Sequence, residues 1–297
     1  MHCSRNTQVD AQDNTLVTSL HKSKQDSTVL NSIYPWLRLP PTPQLPLPHV
    51  GQYALVNGIR IWYTIYGPAD GIPILFLHGG FGNSDYWGLQ VQQLQSTYKC
   101  ILMDSRGQGR SPLPAANITY DLMTSDVVGL LDYLGINRIH LVGWSDGAII
   151  GLNMAMKCPH RLISLFAFAA NYDSSGAKDI FATPVFPAYL TRSKCEYEQL
   201  SPVKDYQDLY NNLTTMWSTL PNWSKTDFDK IPHDLPVWIV DGDHDEVINR
   251  QQSDTMATWI QQAGEMILPK TSHFAFIQDP ENFTAAVTRF LTEMQHL

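Results

Sequence analysis

The sequence predicts an α/β fold: a mostly parallel eight-stranded sheet with flanking helices and a helical cap. Three observations predict it. Short apolar runs alternate with segments of helical spacing along most of the chain. Several of those runs end in glycine-bearing loops, as "PILFLHGG" (73–80) and "RIHLVG" (138–143) do. Between two of the runs, residues 171–232 hold helical pieces and many aromatics but no convincing strand. An insertion of that kind is most simply a cap over the sheet's C-terminal edge, where open α/β sheets bind ligands.

Taken in order, residues 1–48 form a polar and then proline-rich extension, with "YPWLRLPPTPQLPLP" at 34–48. Such a run favours extended polyproline-like backbone, and its Trp and Leu side chains could lie against the body of the protein. Two readings stand: a disordered tail with a linker, or a strap along the rim. Residues 49–170 and 233–297 then supply the sheet. "QYALVNGIRIWYTIYG" (52–67) reads as a β-hairpin turning at Asn57-Gly58. Buried strands follow at 73–80, 98–103, 138–143 and 162–170, with helices over 119–134 and from 146 to 158. After the insertion come a strand in "LPVWIVDGDHD" (235–245), a helix near 249–262, a short strand at 265–269 and a last helix from about Pro280.

Composition narrows the class of function. With 297 residues, 43% of them apolar and 16% charged, the chain can bury a sizeable core. The net charge of −8 and the lack of a basic stripe argue against a nucleic-acid or anionic membrane surface. Cys3, Cys100, Cys158 and Cys195 lie far apart, as reduced thiols rather than a disulfide framework or zinc site. No run approaches the roughly 20 apolar residues of a membrane span, and the N-terminus lacks the pattern of a secretory signal. A small-molecule substrate and a cytoplasmic location are the expectations; oligomeric state is left open.

The chemistry concentrates in "LVGWSDGAI" (141–149). Gly143 and Gly147 allow a tight strand-to-helix turn in which side chains would clash, pushing Ser145 out at its apex. The helix beyond aims its N-terminal N–H groups at the same place, which favours developing negative charge. A serine hydroxyl needs an oriented base to become a nucleophile. "KTSHFAFIQDPENF" offers His273, and "DGDHDEVI" offers Asp245, with Asp241 and Asp243 as rival acids. The acidic run lacks the glycine and distal glutamate of a calcium loop, so no metal or cofactor is expected.

These motifs, in this order, resemble those of the α/β-hydrolase family from about Gln52 to Leu297. "HGGFGNSDYW" (78–87) resembles the family's oxyanion loop, and "DSRGQGRSP" (104–112) the turn after its next strand. The resemblance implies that Ser145, Asp245 and His273 form a catalytic triad. The family places its acid three residues after the glycine, here Gly242, which favours Asp245. The backbone N–H groups of Gly80 and Asp146 would form the oxyanion hole, with Phe81 replacing Gly80 if the loop is offset by one. Serine at the apex sets the chain apart from the aspartate-nucleophile relatives, the haloalkane dehalogenases and epoxide hydrolases. His78 is expected to brace the oxyanion loop, and His140 and His160 to be packing or surface residues.

Asp146 admits two readings. It caps its own helix and turns away from the pocket, or it faces the pocket and meets a substrate ammonium. "GWSDG" with "DSRGQGRS" resembles the valacyclovir-hydrolase-like branch, whose elbow aspartate is associated with α-amino esters. Ala148 departs from that branch, which tends to have glycine there. The expected function is a cofactor-free serine hydrolase of a small carboxylic ester or lactone. Carbon–carbon bond or enol-lactone hydrolysis with the same triad is the alternative, and a non-catalytic small-molecule receptor the reading from another class.

Overall fold

Asn57 and Gly58 both adopt positive φ, 47° and 79°, the conformation a two-residue hairpin turn requires. They join β1 (Gln52–Val56) to β2 (Ile59–Tyr66), which pair antiparallel in the register Val56 to Ile59. The apolar runs that follow become β3 (Pro73–Leu77), β4 (Lys99–Met103), β5 (Ile139–Trp144), β6 (Leu162–Phe168), β7 (Val237–Gly242) and β8 (Gly264–Leu268). Together they form one eight-stranded sheet in the order β1-β2-β4-β3-β5-β6-β7-β8, parallel from β4 onward. The computed structural model describes residues 34–47, 50–113 and 117–293. The polar stretch 1–33 and the expected boundary at 48/49 lie outside the described residues, as does Cys3.

All six residues of the central β5 are buried. Side chains alternate between the two faces of a strand, so both faces of the sheet are covered there. The covering helices are α1 (Gly88–Leu94), α2 (Tyr120–Tyr133), α3 (Asp146–Lys157), α7 (Arg250–Trp259) and α9 (Pro280–Glu293). Helix α1 was not expected from the sequence: "GLQVQQL" is short and half polar. It forms because Val91 and Leu94 enter the core and the buried Gln90 donates to Phe276 O at 2.8 Å. Thr119 caps α2 by accepting from Leu122 N–H at 3.1 Å.

Between β6 and β7 the chain forms α4 (Val185–Leu200), α5 (Tyr206–Trp217) and the single turn α6 (Lys225–Phe228). Helices α4 and α5 lie against the loop after β3, and Phe228 of α6 packs on Tyr172 and Trp259. Tyr189 of α4 donates its hydroxyl to Gly80 O at 2.7 Å. Phe81 sits among Tyr206, Tyr210 and Trp217 of α5, at ring separations of 5.2–5.8 Å. A single turn, α8 (Ala275–Gln278), leads from the His273 loop into α9. Among the described residues no helix is long and apolar enough to cross a membrane.

Candidate active site

The turn between β5 and α3 holds Ser145 at φ 54°, ψ −119°, a conformation that costs a non-glycine residue about 1–3 kcal/mol. Three backbone bonds hold it there: Ser145 N–H donates to Phe168 O at 2.9 Å, and Ser145 O accepts from Ala148 and Ile149. The flanking glycines are needed for closeness. A Cβ on Gly143 would stand 2.4 Å from Gly147 O, and one on Gly147 would stand 2.2 Å from Leu77 O. The strain is therefore set by the contact of α3 with β3.

His273 and Asp245 meet from the loops after β8 and β7. His273 Nδ1 donates to Asp245 Oδ2 at 2.8 Å, which leaves Nε2 as the basic nitrogen. The other carboxylate oxygen accepts from Val247 N–H at 2.7 Å and Ile248 N–H at 2.8 Å, so the acid cannot swing away. Of the rival acids, Asp241 accepts from Ser253 and from Gly242 N–H, and Asp243 accepts from Thr271 N–H. Neither is bonded to the imidazole. His273 is buried among Trp144, Phe186 and Phe274, and that burial lowers its pKa to about 4 against the raising effect of nearby carboxylates. Burial raises Asp245 to about 6 against its backbone hydrogen bonds. At neutral pH both effects leave a carboxylate beside a neutral imidazole, the state a general base requires.

Glu246 was not nominated by the sequence. It is buried, its Oε2 accepts from His273 N–H at 3.1 Å, and its Oε1 has no partner among the described residues. Burial and the Asp245 charge raise it to about 7. Its only sequence signal was being the last acid of the run 241–246.

The loop after β3 is braced by His78, which donates from Nδ1 to Gly79 O at 2.8 Å and accepts at Nε2 from Ser105 N–H at 3.0 Å. Gly80 has room for no side chain, because a Cβ would lie 2.2 Å from Trp217 and 2.8 Å from Asp146 Oδ2. Phe81 follows at φ 62°. Among the described residues the N–H groups of Gly80, Phe81 and Asp146 have no protein acceptor. His140 is buried with Nδ1 on Ser164 Oγ at 2.7 Å, and His160 is exposed.

Of the two readings of Asp146, the one in which it caps its own helix and turns away from the pocket is overturned. Its side chain does not turn back onto its own helix but lines the cavity beside Ser145. Oδ1 accepts from Tyr120 Oη at 2.8 Å and from Trp217 Nε1 at 2.9 Å. Two donors drawn from distant segments outcompete the local cap, and the sequence could not pair residues so far apart. Burial raises its pKa to about 6 against those hydrogen bonds. The cavity measures about 220 Å³, with Tyr120, Trp144, Phe186, Tyr189 and Trp217 as apolar walls.

The family profile described as the alpha/beta hydrolase family matches residues 74–286. The chain belongs to that family. Among curated proteins it is 28% identical over 267 residues to "Putative carbamate hydrolase RutD" of Caulobacter sp. (strain K31), covering 81% of this chain and 98% of that one. Among solved structures, the enol-lactonase from Burkholderia xenovorans LB400 superposes with a TM-score of 0.66 at 22% identity, covering 81% of this chain and 99% of that one. The meta-cleavage product hydrolase from Pseudomonas fluorescens IP01 does so at 0.71 and 20%, covering 82% and 98%. At these structural identities the likeness speaks for the fold, and substrate choice rests on the site.

Proposed function

We propose that this α/β-hydrolase family member is a cofactor-free serine hydrolase of a small carboxylic ester or lactone, acting through an acyl-enzyme on Ser145. The observation that carries the reading is the His273–Asp245 hydrogen bond, found at the same sheet edge as a half-buried serine that is held in a strained elbow and lines the cavity. In this reading His273 Nε2 takes the Ser145 proton as Oγ attacks the acyl carbon. The tetrahedral oxyanion meets the N–H of Asp146 and that of Gly80, or of Phe81 if the loop is offset. His273 then returns its proton to the leaving alcohol, and water repeats the sequence to free the acid. A cavity of about 220 Å³ suits a small acyl group.

A narrower reading, an α-aminoacyl ester, is favoured by one observation: the buried Asp146 carboxylate faces the cavity. A panel pairing short-acyl p-nitrophenyl esters with α-aminoacyl esters of similar size tests both. Turnover that falls at least about a thousandfold in Ser145→Ala supports the serine hydrolase. An aminoacyl preference abolished by Asp146→Asn supports the narrower substrate. Lack of serine-dependent turnover on either set overturns the ester reading and directs attention to carbon–carbon hydrolysis or a receptor.

A further inference from the structure

The proline-rich segment Tyr34–Leu47 reaches the residues just before Asp245 and His273, stacking on His244 directly and meeting Ser272 through Gln278. Trp36 stacks on His244, ring centroids 3.8 Å apart and planes within 7°. Gln278 donates from Nε2 to Arg38 O at 2.7 Å, to Trp36 O at 3.4 Å and to Ser272 Oγ at 2.9 Å. The same amide accepts from Ser272 N–H through Oε1 at 2.7 Å. Its orientation is thereby fixed, since a flipped amide would set a carbonyl against Arg38 O.

The rest of the segment is anchored elsewhere. Arg192 of α4 donates to Pro40 O at 2.5 Å and to Leu39 O at 3.0 Å, and Thr42 donates to Glu196. Gln44 passes so close to the start of α1 that a Cβ on Gly88 would lie 2.4 Å from its carbonyl oxygen. Leu45 is buried in the core. The strand of backbone between these anchors thus spans α4, the acid loop and the histidine loop.

We infer that the segment is a built-in clasp that sets the Asp245–His273 hydrogen bond, with Gln278 and Trp36 as its positioning residues. Neither reaches the reacting atoms. Each acts through its neighbour: Gln278 holds the Ser272 backbone whose next residue is His273, and Trp36 holds His244, whose next residue is Asp245. Loop residues that carry a base need such support, because a displacement of about 1 Å can cost roughly a hundredfold in rate. The inference rests on the serine-hydrolase reading only for its kinetic readout.

Gln278→Glu separates the two sides of the clasp. A carboxylate still accepts from Ser272 N–H and can accept from the Ser272 hydroxyl in place of donating to it, but it cannot donate to Arg38 O or Trp36 O, so the link to the segment is lost while Ser272 keeps its partner. Full-length Gln278→Glu and Trp36→Ala are expected to lower kcat about tenfold or more with KM little changed. The acid limb of the pH profile should move as well, and Trp36→Phe, which keeps the stack, should restore both. The limb reports His273 together with Glu246, Asp241, Asp146 and Lys178, whose charges act on it, and its partner Asp245. Proton NMR supplies a readout independent of turnover: the low-field resonance of His273 Nδ1–H should broaden or shift in both variants. Wild-type kcat and an unmoved resonance in Gln278→Glu and Trp36→Ala would overturn the clasp and leave the serine-hydrolase reading standing. If wild-type turnover does not depend on Ser145, that reading fails, and the resonance alone decides the clasp.

Discussion

Two groups of buried charge stand at the C-terminal edge of the sheet, and they are built differently. Beyond β4, every acid meets a cation. Arg106 is bidentate on Asp126, Nε at 2.5 Å and Nη2 at 2.6 Å, with both side chains buried. Arg110 bridges Asp104 at 3.1 Å and Asp85 at 2.8 Å while lying over the Trp62 ring. At the end of β7 and just past it, Asp241, Asp245 and Glu246 are buried with a neutral imidazole, and the nearby Lys178 donates to a backbone oxygen, Asp245 O, at 2.6 Å. The first group is held by matched geometry and carries shape. The second leaves charge uncompensated, and its carboxylates titrate well above their ordinary range because burial disfavours ionisation. Balanced pairs hold loops in place; the unbalanced acids surround a histidine that burial keeps neutral against their charge.

The contrast can be broken from the second group with the largest effect. Asp245→Asn should lower kcat by about 10⁴ while leaving the fold intact, because the imidazole loses its preferred tautomer. Circular dichroism and steady-state kinetics on the same preparation check this. In the first group the loss should fall on stability. Asp126→Ala strands a buried Arg106 and should cost about 3–5 kcal/mol, read as a shift in the urea midpoint.

Asp146 belongs to neither group and carries its own stability signature. Its folded pKa, about 6, lies above the ordinary 3.8, so between those values the native state holds a proton the unfolded chain has lost. Native stability therefore falls as pH rises through that window. Asp146→Asn keeps an acceptor for Tyr120 and Trp217 and should be more stable than wild type above pH 6, by roughly 3 kcal/mol at most. The gain should vanish below pH 4, which thermal melts at both pH values test. The smallest effect is expected from Glu246→Gln. Its charge raises the His273 pKa, so removing it should move the acid limb of activity to lower pH.

What the sequence could show depended on distance along the chain. The hairpin at Asn57-Gly58, the buried strands and the elbow around Ser145 are short-range patterns, readable from residue type and spacing. His273 and Asp245 were also nominated from local runs, and the sheet order brings them within hydrogen-bonding reach. Helix α1 escaped because its stability comes from Gln90 on Phe276 O rather than from its own periodicity. The direction of Asp146 depends on Tyr120 and Trp217, separated from it by 26 and 71 positions. The bonds of Gln278 to Trp36 and Arg38 span 242 and 240 positions. No pattern of spacing in one sequence pairs such residues, because the fold itself creates the proximity.

The central claim is that Ser145 is the nucleophile His273 serves. The most direct test mixes the protein with a short-acyl p-nitrophenyl ester and follows the first turnover, with intact-protein and peptide mass spectrometry on the quenched sample. The account predicts acyl mass on the peptide containing Ser145, and loss of both acylation and turnover in Ser145→Ala. An equally active Ser145→Ala would contradict it, whatever the His273–Asp245 geometry.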